Sequence, residues 1–197
     1  ERLGIDLMIQ RDLSWNEVLE KARTRKIDIL GAAQKTSELE DSFFFSDSFF
    51  EISNVIIVRK SLTGELSLAD LSKRRVAVGS GYAVEKIIKE RYPNIILVQV
   101  PDLLSGLRMV SFDEVEAMII DIASALYFIE REGITNLRIA GNTDITYEFR
   151  IAVTKEKPIL RSAIEKTLRS ITEQERSAIK KRWIRAEQTA PLFNKNL

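Results

Sequence analysis

The chain has 197 residues, 30 Lys and Arg against 29 Asp and Glu, no His, no Cys and 45% hydrophobic residues, the mix of a soluble, globular chain of one large domain or two small ones. Without Cys or His there is no disulfide framework, no thiolate and no imidazole base, and two interleaved charge signs give no basic footprint for nucleic acid. No apolar run approaches the ~18 residues of a membrane span, and no signal peptide is visible.

In chain order, ERLG reads as the last turn of a helix stopped at Gly4, so the chain is expected to begin inside an α/β unit. Ile5–Ile9 is a predicted strand. Ser14 with Glu17 forms a capping box for a helix whose apolar stripe is Trp15, Val18, Leu19 and Ala22. Ile27–Leu30 is the next strand, followed by the aromatic stretch Ser42–Phe50 and a strand over Asn54–Lys60, rich in branched residues.

After a turn at Thr63-Gly64 the pattern predicts strands at Arg75–Val78, Ile95–Val100, Ala117–Ile120 and Leu137–Ala140, alternating with helices at Ala83–Tyr92, Leu103–Val110 and Ile122–Glu132. Gly141-Asn142 is expected to break the chain before a strand at Phe149–Thr154. Pro158 starts a helix to about Ser170, Thr172 and Glu175 cap a last one ending near Trp183, and the tail Glu187–Leu197 is expected to fray or run on as a linker.

Parallel βα units in two sets, the first resumed after the second, imply an α/β fold of two lobes with a cleft between them. Lobe 1 is expected over 1–60 plus 146–186, lobe 2 over 61–145, and a linker over 187–197. Three strand ends carry candidate chemistry. Gly79-Ser80-Gly81-Tyr82 leads a strand into a helix, where free N–H groups suit an anion; the alternatives are a plain turn or a weak nucleotide fingerprint, with Val84 where a third Gly would fall. Asp121 ends a buried strand and is either a ligand contact or the N-cap of the next helix. Ala32 and Ala33 leave room after Gly31, with Lys35 and Thr36 offering donors, or the segment is a solvated loop with Thr36 as a cap. The acids Asp113, Glu114 and Glu116 read as a solvated turn.

KARTRKIDILGAAQKTSELEDSFFFSDSF resembles the signature region of amino-acid-type periplasmic solute-binding proteins, whose pattern runs G-x-I-D-[ILV]-L, T-x-E-R, F-[ST]-x-P-Y. RVAVGSGYAVEKIIKERYPNIILVQV, IEREGITNLRIAG and the closing KKRW resemble one branch of that family, the Venus-flytrap sensor domains of bacterial membrane histidine kinases and GGDEF diguanylate cyclases. The resemblance runs from Leu3 to about Trp183. It implies a periplasmic-binding-protein-like fold lacking the family's first strand and helix of lobe 1, with that strand's loss expected to destabilise the lobe or invite another strand into the gap.

The resemblance also implies site roles. The family's carboxylate-clamping Arg falls at Leu39, Asp121 matches the acid that receives the ligand's amino group, and Ser80 with Gly81 matches the backbone anion site, where the branch often has Lys for Ser80. The implied ligand is a small amine-bearing or amino-acid-like solute, bound by Ala32, Ala33, Lys35, Thr36, Phe49, Ser80, Gly81, Tyr82 and Asp121. Phe49 stands at the Tyr of F-[ST]-x-P-Y, and the neighbouring phenylalanines divide between core and cleft.

No catalytic residue, metal or cofactor is expected. Implied partners are the solute and, through flanking segments, a membrane and intracellular signalling modules; a homodimer is left open. The alternatives are a free periplasmic receptor of an ABC importer and a nucleotide-dependent enzyme using Gly79–Gly81.

Overall fold

A computed structural model describes residues 3–11 and 13–183, with side chains through 179; the expected tail Glu187–Leu197 and the Trp183 side chain lie outside the described residues. Helix α1 (Trp15–Arg23) begins at the expected capping box: Ser14 Oγ accepts from the Glu17 amide while the Glu17 carboxylate accepts from the Ser14 amide. Then come β1 (Ile29–Ala33), a one-turn α2 (Ser37–Glu40) capped by Thr36, β2 (Phe43–Phe45) and β3 (Phe50–Arg59). The middle of the chain gives β4 (Arg75–Gly79), α3 (Ala83–Arg91), β5 (Ile96–Val100), α4 (Leu103–Ser111), β6 (Ala117–Asp121) and α5 (Ile122–Arg131). It closes with β7 (Leu137–Thr154), α6 (Pro158–Arg169) and α7 (Glu173–Trp183).

Three expectations are corrected. Ile5–Ile9 forms no strand: it joins no ladder, and Leu7, Met8 and Ile9 are 66%, 96% and 72% exposed, because an apolar run without a strand to bond to has no means of becoming one. Gly31, Ala32 and Ala33 belong to β1, not to a loop, across an irregularity in its pairing with β7. Gly141-Asn142 does not break the chain either. β7 runs unbroken for 18 residues, and Gly141 is required because the Leu66 carbonyl lies where its Cβ would be.

The long β7 joins two ladders. Its first part pairs antiparallel with β3, from Leu137 opposite Arg59 to Phe149 opposite Phe50; its last part lies between β1 and β2, with Ala152 opposite both Leu30 and Phe45. Beyond β3 come β6, β4 and β5, the last three parallel to one another. Three separate cores follow. Two cover the faces of the β3-β6-β4-β5 ladder, one centred on Ile56, Val76 and Ile119 and the other on Ile57, Leu107 and Met118. The third packs Leu19 and Ala22 of α1 against Leu30, Ala33, Leu39, Phe43 and Ala152.

The Phe-rich stretch divides as alternation requires. Phe43 is buried in the third core, whereas Phe44 faces the other way, under the Arg161 guanidinium at 4.4 Å. Phe50 stacks on Phe149 with ring centres 6.4 Å apart. Among the described residues no helix is long and apolar enough to cross a membrane.

Candidate ligand-binding site

The carboxyl ends of β4 and β6 and the start of β3 meet at a recess of ≈ 190 Å³, open solvent at its mouth included. Asn54, Gly79, Tyr82, Val84, Leu103, Ile119, Ile120, Asp121 and Tyr147 line it. Asp121 and Asn54 are ladder partners across β6 and β3, which puts their side chains on one face. Asp121 is the N-cap that the sequence allowed, and it also faces the recess. One carboxylate oxygen accepts from the Ser124 amide at 2.8 Å, capping α5, and the residue, 8% exposed, lines the recess.

Asn54 is fully buried at an irregularity in the β3–β7 pairing, where Thr143, Asp144 and Ile145 of β7 face a single residue of β3. Its Nδ2 donates to the Ile145 carbonyl at 3.2 Å and its own carbonyl accepts from Thr143 Oγ1 at 2.7 Å, but Oδ1 has no partner. Leaving such an acceptor unbonded costs roughly 1–3 kcal/mol, a cost that a donor entering the recess removes. The two tyrosines add to the wall. Burial, and after it the nearby Asp121 charge, raises the Tyr82 phenol above its ordinary value; burial likewise raises Tyr147, so both stay neutral hydroxyls.

The turn before α3 is committed internally. The Ser80 amide donates to Val100 O, Gly81 to the Glu85 carboxylate at 2.9 Å, Tyr82 to Gly79 O, Val84 to the Tyr147 hydroxyl at 3.1 Å and Glu85 to Tyr82 O. Burial opposes ionisation of Glu85, but bonds from Lys89, the Gly81 amide and Gln99 together hold its carboxyl below the usual value. With those five amides spoken for, an incoming carboxylate or phosphate gains less here than at a helix start whose amides are free. The glycines have packing reasons: at Gly79 a Cβ would lie 2.6 Å from the Tyr82 ring, and Gly81 has φ +77.

The remaining expected residues lie elsewhere. Lys35 pairs with Glu40 at 2.6 Å, Thr36 caps α2, Ala33 is buried in the α1 core and Ala32 is exposed. Phe49 lines a second recess, ≈ 310 Å³ with open solvent, between the Ser46–Phe49 segment and helices α6 and α7; the two linings share no residue. In that larger recess Glu165 already pairs with Arg161 and Arg176 donates to Leu168 O, so the smaller one, with its orphan acceptor, is the better site.

The family model for bacterial extracellular solute-binding proteins, family 3, matches residues 1–186. The chain belongs to that family. Family 3 membership places it outside the cytoplasm, in the two-lobed α/β Venus-flytrap fold. Its relatives include the virulence sensor protein BvgS of Bordetella pertussis, 28% identical over 183 residues, 92% of this chain but 15% of BvgS. The solved periplasmic VFT2 domain of BvgS superposes with a TM-score of 0.81 at 28% identity, covering 91% of this chain and 77% of that one. A mutant of ArgBP from T. maritima reaches the same TM-score at 26% identity, covering 93% and 80%.

Of the residues that sequence reasoning singled out, Tyr82 and Asp121 line the smaller recess, whereas Ser80 and Gly81, in the turn before Tyr82, do not. It missed Asn54 and Tyr147, which line the same recess. A polar residue entering the run Val55–Val58 was a visible sign for Asn54, and nothing in the sequence pairs Tyr147 with the start of α3.

Proposed function

We propose that this chain is the ligand-binding sensor domain of a membrane signalling protein, a histidine kinase or diguanylate cyclase, and that it takes a small cationic amine between lobes 1–60 plus 146–186 and 61–145. The observation that carries the ligand class is the pairing of Asp121 with the unpartnered Asn54 Oδ1: two acceptors share one face of the recess, while the neighbouring amides are already bonded. An ammonium supplies charge to the first and N–H donors to both. Leu39 strengthens the reading. Buried in the α1 core at the position where the family's pattern carries a carboxylate-clamping Arg, it offers a carboxylate nothing.

Similarity to BvgS supports the sensor role, with the solute and the membrane-linked output modules as partners. The carboxyl-terminal helices follow directly from β7, which belongs to both ladders, so a change in how the lobes meet is passed to α6 and α7.

Thermal shift with amines (putrescine, ethanolamine), amino acids (arginine, glutamate) and carboxylates (succinate, acetate) tests the site. A cationic binder at 100 times its Kd stabilises by about 2.7 kcal/mol, an increase of about 5–11 °C for a chain of this size. Asp121→Asn keeps a side chain that caps α5 but removes the charge, so it should abolish that shift with little change in the unliganded Tm. Stabilisation by succinate, or an undiminished amine response in Asp121→Asn, refutes the assignment.

A further inference from the structure

Only half of the Tyr147 hydroxyl is used. The residue stands on β7 opposite Ile52 of β3, 4% exposed, with its ring edge-on to Phe149 and the ring centres 5.9 Å apart. Its oxygen accepts from the Val84 amide, in the first turn of α3, at 3.1 Å. A neutral phenol also has a proton to give, and among the described residues nothing accepts it. The amide that bonds the oxygen polarises the O–H and makes it a better donor. A buried donor is therefore held in place on the recess that carries two acceptors, the Asp121 carboxylate and the unpartnered Asn54 Oδ1.

The rest of the lining limits what can use that donor. Among the described residues of the recess Asp121 alone is charged, so one ammonium is matched and a second is not. No Lys or Arg stands with it, Lys35 being paired with Glu40 elsewhere, so a carboxylate entering here would meet like charge and no cation. Val84, Leu103, Ile119 and Ile120 give apolar contact to a short carbon chain. We propose that the solute is a short amino alcohol, a monocation whose ammonium bonds Asp121 and Asn54 and whose neutral oxygen accepts from the Tyr147 hydroxyl. The inference rests on the amine reading above and names the second functional group of that ligand. Tyr147 is then the residue that separates an amino alcohol from a plain amine or a diamine.

Calorimetric titration of the full chain at neutral pH tests this with three small solutes. Ethanolamine carries the hydroxyl, n-propylamine has a methyl group in its place, and glycine has a carboxylate there. Ethanolamine should bind at least about fivefold tighter than propylamine, whose methyl group leaves the buried donor unbonded. Glycine should bind more weakly than ethanolamine. In Tyr147→Phe the preference for ethanolamine should disappear through weaker ethanolamine binding, with propylamine binding unchanged.

Propylamine binding as tightly as ethanolamine, glycine binding more tightly, or an equal loss of both amines in Tyr147→Phe overturns the amino-alcohol assignment and leaves the amine site standing. Failure of both amines to bind wild type overturns the amine reading itself, and this assignment with it. Should Tyr147→Phe fail to fold, the comparison of ethanolamine with propylamine on wild type decides.

Discussion

Gly141→Ala separates two meanings of a glycine in a strand. If Gly141 were there to end a strand, Ala would be harmless, and by restricting the unfolded chain it would stabilise by about 0.4–1 kcal/mol. The structure gives the opposite sign. A Cβ at 141 overlaps the Leu66 carbonyl oxygen, and that oxygen belongs to a backbone pinned to β7 by the Leu66 amide donating to Ala140 O at 2.9 Å. The Arg138 side chain fixes the same segment, its Nε donating to Leu62 O at 2.8 Å.

To admit the methyl group the two backbones must separate by on the order of 1 Å, an overpacking cost of about 1–3 kcal/mol, with about 1 kcal/mol more as the Leu66 bond is lost. The expected destabilisation of about 2–4 kcal/mol lowers Tm by about 5–12 °C. Gly31→Ala is the control: it lies in β1, its φ is not in the left-handed region and nothing lies within 4 Å of its would-be Cβ. Calorimetric or fluorescence melting of both variants decides. A Gly141→Ala Tm equal to that of wild type, or a Gly31→Ala loss of the same size, refutes the close-approach argument.

Two further outcomes follow from the site and its surroundings. Because the Glu85 carboxyl is held below its ordinary value of 4.5, its contribution to stability is present above that pH and lost as pH falls through the lower folded value; melting from neutral pH to about pH 3 should show a shallower acid decline in Glu85→Gln than in wild type, and identical profiles would remove Glu85 from the account. Leu39→Arg restores the residue that the family's pattern carries but puts a guanidinium into the α1 core, so it should lose at least the about 2–4 kcal/mol expected of Leu39→Ala and gain no affinity for succinate; a stable variant that binds succinate would show that position 39 reaches the cleft.

Much of this was legible because it is local. Ser14 with Glu17, Thr172 with Glu175 and Pro158 mark helix starts through bonds and dihedrals made within one turn, and each start is found where those residues place it. The strands and helices from Arg75 to Arg131 follow from the apolar period alone, and with them the position of Asp121 at a strand's carboxyl end.

What failed was whatever depends on a partner distant in sequence. Ile5–Ile9 has a strand's composition and no ladder to join. Phe43–Phe45 pairs with β7 across more than a hundred residues, and Gly141 carries a strand signal that only Leu66 converts from a break into a close contact. Periodicity therefore determined the α/β class, the order of elements and one acid of the site. Tertiary structure alone decided that Asn54 faces Asp121 with an unmet acceptor, that the amides before α3 are already bonded and that Trp15 reaches the turn after β4, since hydrogen-bond satisfaction is settled by which backbones the fold brings within 3 Å or so of one another.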